Sequence, residues 1–254
     1  MSDSSEGGSA GNKKKLHWFP LIALHLFPGL LITAAYYSLA NTLTQRSIPA
    51  YIALMLTIIL CSIPVLLGIM WLSRHQSRFK HLLAPEKSYR YSGTLLEHTL
   101  LPFALCLVYM VLAWSTSPLT ALLKTHLASW VPARAGHESL MEGMRSCPLY
   151  LRRIAIWMGI LFSGLAAPVV EEIYFRGFLL PRMDYLGIKA PLINALLFGI
   201  YHFFAPWSMP AIFLGFIPIA YTVWVRKNVR IGIIAHVLIN LWGVVQIVIA
   251  TRGG

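Results

Sequence analysis

The chain has 254 residues, of which 57% are hydrophobic and only 12% are charged, and its formal net charge is +12. A soluble domain needs more charged residues to cover its surface, so this composition excludes an ordinary water-soluble protein. The basic residues lie mostly at the ends of apolar runs, where membrane proteins contact lipid headgroups. We therefore expect these residues to contact membrane lipid, and we expect no nucleic acid as a partner.

The N-terminal residues 1–15 are polar, rich in Ser and Gly, and end in three lysines, which predicts a disordered cytoplasmic tail. The apolar run that follows is too long for the core of a signal peptide, so we expect it to be a retained membrane helix. The three cysteines, Cys61, Cys106 and Cys147, form no C-x-x-C pair, which argues against a zinc–thiolate site or a disulfide framework.

Seven apolar runs of membrane-spanning length occupy most of the chain. They are Leu16–Ala40, Ile48–Leu72, His98–Thr116, Ile154–Val170, Ala190–Trp207, Met209–Val225 and Ile231–Thr251. We therefore predict an all-α bundle of seven transmembrane helices, or eight if part of the long connection after the third run enters the bilayer. The predicted organisation is the tail, an N-terminal membrane region over residues 16–153, and a C-terminal helical core over residues 154–254.

The distribution of Lys and Arg predicts the orientation. The tail, the second connection and the sixth connection are rich in basic residues, whereas the first and fifth connections are poor in them. The positive-inside rule then places the N-terminus in the cytoplasm and the C-terminus outside. The long third connection is an exception, because it carries five basic residues: Lys124, Arg134, Arg145, Arg152 and Arg153.

That long connection, residues 117–153, also has an apolar pattern. Leucines and a tryptophan recur in it at helical spacing: Leu119, Leu122, Leu123, Leu127 and Trp130. This pattern predicts an interfacial helix that lies on the membrane. Two roles stay open for it, a simple interface anchor or a lid over a site.

Glu171 and Glu172 are two of only nine acidic residues, and they directly continue an apolar run. An ionisable group at membrane depth is costly unless it is paired or hydrated, so both are functional candidates. Neighbours on a helix point ~100° apart, whereas Glu172 and Arg176 are four apart and can pair on one face. We expect Glu172 and Arg176 to be structural and Glu171 to be free for chemistry. The alternative is that both carboxylates lie at the headgroup level.

Two later segments carry polar groups at helical spacing. Phe198 and His202 share one face of the fifth run, and His236 and Asn240 share one face of the last. A lone membrane histidine more often makes a helix–helix hydrogen bond than catalyses a reaction. This structural role is the one we expect for His17, His25 and His98. His202 and His236 differ because they accompany Glu171 and Asn240 in neighbouring segments.

The depth of the two histidines is a difficulty for this grouping. If each helix begins where its apolar run begins, His202 lies ~21 Å from the inner end of its segment, at ~1.5 Å per residue. His236 lies only ~8 Å from the inner end of its own segment. Tilt or unequal helix starts must close this gap if the groups are to meet.

The three motifs E-E-x-x-x-R, F-x-x-x-H and H-x-x-x-N, in this order on successive apolar segments, resemble the CPBP (Abi) family. That family includes the type II CAAX prenyl endopeptidases and bacteriocin-processing or self-immunity proteins. Each motif alone is weak, but the three together are specific, and they cover about Ile154–Ala250. The first three helices carry no such signature. The resemblance implies an intramembrane endopeptidase whose substrate is a membrane-associated protein or peptide, such as a prenylated CAAX-type C-terminus.

The resemblance also implies roles for individual residues. Glu171 would be the general base that activates a water, aided by His202. His236 and Asn240 would stabilise the oxyanion. The structural part of the site would be Glu172, Arg176 and Phe198. These roles suit peptide hydrolysis, which needs a deprotonated water, stabilisation of the tetrahedral oxygen and a proton for the leaving amine.

A metal is the open alternative. Glu171, His202 and His236 could bind a divalent ion such as zinc and leave a position for water. However, the chain has no H-E-x-x-H pair, and these candidate ligands come from three segments. The resemblance also allows a metal-free glutamate mechanism, which we favour, and no cofactor is certain from the sequence.

Two functions without proteolysis stay open. The same polar cluster could belong to a scaffold or immunity protein that binds a peptide or a partner. It could also form a proton path in a transporter, because intramembrane acids and histidines serve that purpose too. The sequence has no visible inverted repeat, which argues against a transporter.

Overall fold

The structure is a computed structural model that describes residues 17–75 and 93–251. The predicted tail and most of the basic second connection lie outside the described residues. The described part is helical and contains no strand, so the predicted all-α class is confirmed.

Nine helices follow one another in this part of the chain. They are α1 (Trp18–Thr44), α2 (Ala50–Thr57, Ile58–Ser62 and Ile63–His75), α3 (Leu95–Ser115), α4 (Ser117–Leu127), α5 (His137–Ser146), α6 (Leu149–Met158, Gly159–Ala166, Ala167–Glu172, Ile173–Leu179 and Leu180–Leu186), α7 (Lys189–Tyr201), α8 (Met209–Arg226) and α9 (Val229–Ala250). The helices α2 and α6 are each continuous but change their winding along their length.

Six of these helices, α1, α2, α3, α6, α8 and α9, are long and apolar enough to cross a membrane, so the chain is an integral membrane protein. The fifth predicted run, Ala190–Trp207, forms a shorter helix than expected. Its helix α7 has 13 residues and ends at Tyr201. A separate short helical turn, Pro206–Ser208, follows. It is not continuous with α7, because Pro206 disfavours helical geometry in Ala205, whose φ is −140° and ψ is 66°.

The predicted eighth membrane helix does not form in the described residues. The long connection contains α4 and α5, with 11 and 10 residues, which are too short to cross a bilayer. The helix α4 buries none of its residues in the protein, as expected of an interfacial segment. Lys124 of α4 and Glu138 of α5 form an ion pair at 2.5 Å, which holds the two short helices together.

At one end of the bundle, side chains tie the short connections together. Arg226 at the end of α8 pairs with Glu97 in the first turn of α3 at 3.2 Å. Tyr221 of α8 donates a hydrogen bond to the carbonyl of Ile188, just before α7, at 2.6 Å. The starts of α3, α7 and α9 therefore lie at the same end as the end of α8.

The long connection is tied to the opposite end. Tyr36 of α1 donates a hydrogen bond to the carbonyl of Ala135 at 2.9 Å. Arg145 of α5 donates to the carbonyl of Ala250, the last residue of α9, at 3.1 Å. The segment between α3 and α6 thus closes over the ends of α1 and α9.

Close packing in the interior depends on small residues and aromatic rings. A Cβ added at Gly29 of α1 would lie 2.2 Å from the carbonyl oxygen of Tyr201, so only glycine allows α1 to approach the end of α7 so closely. The rings of Phe175, Phe198 and Phe216 pack together, with centroids 4.9 and 4.7 Å from that of Phe198. Membrane helices associate through such packing, because lipid is as apolar as the helix surface.

Two of the predicted structural histidines make helix–helix hydrogen bonds, as expected. The Nε2 of His25 in α1 accepts from the side-chain amide of Asn194 in α7 at 3.1 Å. The Nε2 of His98 in α3 accepts from the amide of Asn228, just before α9, at 2.9 Å. His17 lies exposed at the start of α1.

Candidate active site

A cavity of about 450 Å³ lies between α2, α5, α6, α8 and α9. Its lining includes the four residues predicted to be catalytic: Glu171, His202, His236 and Asn240. Most of the remaining wall is apolar. The structure therefore brings together polar groups from three helices that are far apart in the sequence.

Three π-helical segments occur in the helices that build the site. They are Ile58–Ser62 in α2, Gly159–Ala166 in α6 and Ile173–Leu179 in α6. The first two contribute residues to the cavity wall. A π-helical turn shifts the helix face by part of a turn and frees a backbone carbonyl, and such turns are frequent at functional sites. The two acidic residues lie in the short α-helical stretch between the second and the third of these segments.

Glu172 and Arg176 form the buried pair that their spacing predicts. The NH1 of Arg176 lies 3.1 Å from Oε1 of Glu172, and both side chains are 0% exposed. The guanidinium also lies over the ring of Phe198, 4.2 Å from its centroid. Glu171 is also only 8% exposed, so both carboxylates lie inside the helix bundle and not on its surface.

His236 lies between the two carboxylates. Its Nδ1 donates a hydrogen bond to Oε1 of Glu172 at 3.1 Å, so its Nε2 is the nitrogen that faces Glu171. A carboxylate on one ring nitrogen fixes both the orientation of an imidazole and the nitrogen that carries the proton. The sequence suggests that Glu172 only neutralises Arg176. In the structure it also orients His236.

Glu171 keeps one oxygen for the cavity. Its Oε1 accepts a hydrogen bond from the hydroxyl of Tyr201 at 3.3 Å. Its Oε2 lies 3.8 Å from Nε2 of His236, which is too long for a direct hydrogen bond. The carboxylate is therefore held at one oxygen and left without a close hydrogen bond to His236 at the other.

His202 follows the last residue of α7 and lies in the same cavity. Its Nδ1 donates to the carbonyl of Phe198 at 2.9 Å, because a carbonyl can only accept, and this leaves Nε2 for other contacts. The ring of Phe198 packs edge-on against both His202 and His236, with centroids 4.9 and 5.8 Å apart. The two imidazoles therefore meet at one ring, despite the difference in depth expected from the sequence.

Asn240 is oriented by a backbone carbonyl. Its Nδ2 donates a hydrogen bond to the carbonyl of Ser163 at 2.9 Å. Ser163 belongs to the π-helical segment Gly159–Ala166. One N–H of the amide is thus occupied, and the second N–H is left for a group in the cavity.

Several residues at the site are not singled out by the sequence. Tyr201 contacts Glu171, Ser62 contacts Tyr201, and Ser163 contacts Asn240. Tyr201 lies inside the F-x-x-x-H motif, directly before His202, so its position is a signal that could have been used. Ser62 carries no such signal. It lies in α2, which contains none of the three motifs and reaches the site only through the tertiary packing.

The alternative of a divalent metal on Glu171, His202 and His236 finds no support in the geometry. Within residues 17–75 and 93–251, no group of three or more His, Cys, Asp or Glu side chains is placed to hold a metal ion. We therefore derive no chemical step through a metal.

Comparison with known proteins finds a match for the part of the chain that contains the four candidate catalytic residues. Neither the curated proteins nor the solved structures include a significant match. Residues 153–242, however, match the family model described as type II CAAX prenyl endopeptidase Rce1-like. The matched stretch contains all three motifs and runs from α6 into α9. Residues 153–242 of this integral membrane protein therefore form a domain of the Rce1-like family of type II CAAX prenyl endopeptidases.

Proposed function

We propose that this protein is an intramembrane endopeptidase that hydrolyses a peptide bond in a membrane-associated protein or peptide. The observation that carries the proposal is the position of Glu171. Its carboxylate is buried beside an apolar cavity, one of its oxygens is held by Tyr201, and the other faces His236 at 3.8 Å. The family of residues 153–242 is one of endopeptidases, which supports the same reaction.

The gap between Glu171 and His236 suits a reacting water. A water on the cavity side can lie ~2.8 Å from both Oε2 of Glu171 and Nε2 of His236, which is a normal hydrogen-bond length. Glu171 accepts a proton from this water as the water oxygen attacks the carbonyl carbon of the substrate. His202 lies in the same cavity with its Nε2 unused by Phe198, and we propose that it helps to orient the water.

The new C–O bond places negative charge on the former carbonyl oxygen. We assign the second N–H of Asn240 as one donor to this oxygen, because Ser163 fixes the plane of the amide. His236, when protonated at both nitrogens, is the other donor, held by Glu172. The C–N bond then breaks, and Glu171 returns its proton to the leaving nitrogen. Such preoriented donors stabilise a tetrahedral intermediate strongly in a site with little water.

The form of the cavity supports an elongated apolar substrate. Its walls follow one face of α2 from Tyr51 to Ser62 and one face of α9 from His236 to Ile247. Each face covers 11 residue steps, or ~16 Å. The polar cluster lies at one end of these faces, and α5 lies at the other. We propose a prenylated C-terminus or a small apolar peptide as the substrate class, in line with the name of the matched family.

The predicted orientation is retained as part of the proposal. The end of the bundle where α8 meets α9 carries the basic residues Arg182, Lys189, Arg226, Lys227 and Arg230. The start of α1 is joined to the lysine-rich tail, and the end of α9 is joined to the long connection at the opposite end. With α7 counted as a short crossing, the chain makes seven passes. The N-terminus is then cytoplasmic and the C-terminus outside.

The test uses the full-length protein in liposomes with a library of prenylated and unprenylated peptides, and cleavage is read by mass spectrometry. We expect the wild-type protein to cleave and Glu171→Gln to lose cleavage while still folding. Glu142→Gln is the matched control, because Glu142 is exposed on α5, and we expect it to retain full activity. Cleavage by Glu171→Gln at the wild-type rate would remove Glu171 from the mechanism. A chain that cleaves nothing but captures one peptide of the library would favour the scaffold alternative.

A further inference from the structure

We infer that Tyr201 is a positioning residue for Glu171, and that Ser62 of α2 positions Tyr201. The inference rests on the proposed function, because it assigns Tyr201 to the carboxylate that would act as the base. Three groups form a chain of contacts. Ser62 Oγ lies 3.4 Å from the hydroxyl of Tyr201, which lies 3.3 Å from Oε1 of Glu171.

The direction of these hydrogen bonds follows from the chemistry. A carboxylate oxygen can only accept, so the hydroxyl of Tyr201 gives its hydrogen to Glu171. The hydroxyl oxygen then remains as an acceptor, and Ser62 is the donor to it. Because each hydroxyl has one hydrogen, the three groups form one directed chain that ends on Glu171.

Packing leaves the Tyr201 ring little freedom. The side chain is 1% exposed, and its ring stacks on Phe198 at 6.0 Å and meets Phe175 edge-on at 5.0 Å. Its backbone carbonyl lies against Gly29, where no larger residue fits. The hydroxyl is thus held at one point on the cavity wall. A rigid donor at that point selects one rotamer of Glu171.

The consequence concerns the second oxygen of Glu171. When Tyr201 holds Oε1, Oε2 is presented to His236 and to the cavity, where the reacting water would lie. Without this donor, the carboxylate can rotate or accept from another group. Preorganisation of this kind is effective because a small misplacement of a catalytic group has a large cost in rate.

The inference also gives a role to the N-terminal half of the chain. Ser62 is the last residue of the π-helical segment Ile58–Ser62, and it lies outside the stretch that matches the family. It is 3% exposed, so its hydroxyl is not available to bulk water. We therefore expect α2 to contribute to the rate of the reaction as well as to the wall of the cavity.

The variant Tyr201→Phe tests this role because it keeps the ring and removes only the hydroxyl. We expect kcat to fall roughly tenfold to a hundredfold, as for the loss of one hydrogen bond to a charged group, with KM unchanged. Ser62→Ala should lower kcat by a smaller factor, and it should add nothing in the Tyr201→Phe background. This coupling in kcat is not expected of two residues that only support the fold.

Tyr174→Phe is the matched control. Tyr174 is also fully buried, and its hydroxyl donates to the carbonyl of Leu24 at 2.7 Å, but it does not line the cavity. We expect Tyr174→Phe to lower the Tm and to leave kcat of the folded protein unchanged. A kcat for Tyr201→Phe equal to the wild-type value would overturn the inference. A loss of kcat that only follows a loss of Tm, as in the control, would overturn it as well.

A spectroscopic measurement separates this inference from the proposed function. The infrared difference between the wild type and Glu171→Gln isolates the carboxyl bands of Glu171, whether or not the protein cleaves a peptide. We expect Tyr201→Phe to shift these bands and Tyr174→Phe to leave them in place. Unshifted bands in Tyr201→Phe overturn the positioning role alone. If the wild-type protein cleaves no peptide while the bands shift, the proposed function fails and the contact stands.

Discussion

The Nδ1 of His236 and the carboxylate of Glu172 lie 3.1 Å apart, although 64 positions separate them in the chain. The same oxygen of Glu172 also lies 3.1 Å from NH1 of Arg176. One carboxylate thus neutralises a buried guanidinium and fixes an imidazole. This double contact connects the structural residues of the E-E-x-x-x-R motif with the histidine of the H-x-x-x-N motif.

Glu172→Gln should therefore destabilise the protein strongly. The change removes the carboxylate that pairs directly with the buried guanidinium of Arg176, and breaking one side of a buried pair costs about 3–5 kcal/mol. Thermal unfolding in lipid or detergent measures this loss. Glu97→Gln is the control, because Glu97 and Arg226 form a partly exposed pair, for which about 0–1 kcal/mol is expected. Similar losses in the two variants would contradict the structural role of Glu172.

Asn240→Ala should affect the reaction more than the fold. If the amide is a donor to the oxyanion, kcat should fall by roughly 10²–10³-fold with little change in KM. Steady-state kinetics on a cleaved peptide measure this effect. Gln246→Ala provides a control on the same helix, because Gln246 is exposed on α9, and its activity should equal that of the wild type. An unchanged kcat for Asn240→Ala would leave His236 as the only proposed donor.

Gly232→Ala should disturb the first motif from the side of α9. An added Cβ would lie 2.6 Å from Oε2 of Glu172 and 3.0 Å from Cγ2 of Val223, so the carboxylate or the helix must shift. We expect a lower Tm and, through His236, a lower kcat. Gly243→Ala on the same helix meets no atom within 4 Å and should keep the Tm of the wild type. Equal Tm values for the two variants would argue against this tight contact.

His137 of α5 should make the stability depend on pH. Burial, followed by the charges of Lys124 and Arg145, lowers the pKa of His137 below its ordinary value of 6.5. The unfolded chain then binds a proton at a higher pH than the folded chain does, so stability is lost as the pH falls below about 6.5. His137→Gln should reduce the difference in Tm between pH 8 and pH 5.

The control for this pH effect is His126→Gln, because His126 is exposed on α4. We expect its difference in Tm between the two pH values to match that of the wild type. A wild-type pH dependence in His137→Gln would assign the acid sensitivity to other groups.

Some features of this protein depend only on short stretches of sequence. A run of about 20 apolar residues must be helical in a bilayer, because the backbone has no other way to satisfy its polar groups, so six of the seven spans could be predicted. The Glu172–Arg176 pair could also be predicted, because residues four apart share a helix face. The order of the three motifs was enough to predict the family of residues 153–242, and the four residues assigned to the site from that resemblance line one cavity.

The tertiary structure alone decided which atoms meet. The contact of Tyr201 with Ser62 joins residues 139 positions apart, and the contact of Asn240 with Ser163 joins residues 77 positions apart. Such contacts depend on the rotation and depth of each helix, which π-helical turns and glycine contacts set and which no periodicity of apolar residues records. A helix face is a local property of the chain, whereas the partner across the cavity is a property of the packed bundle.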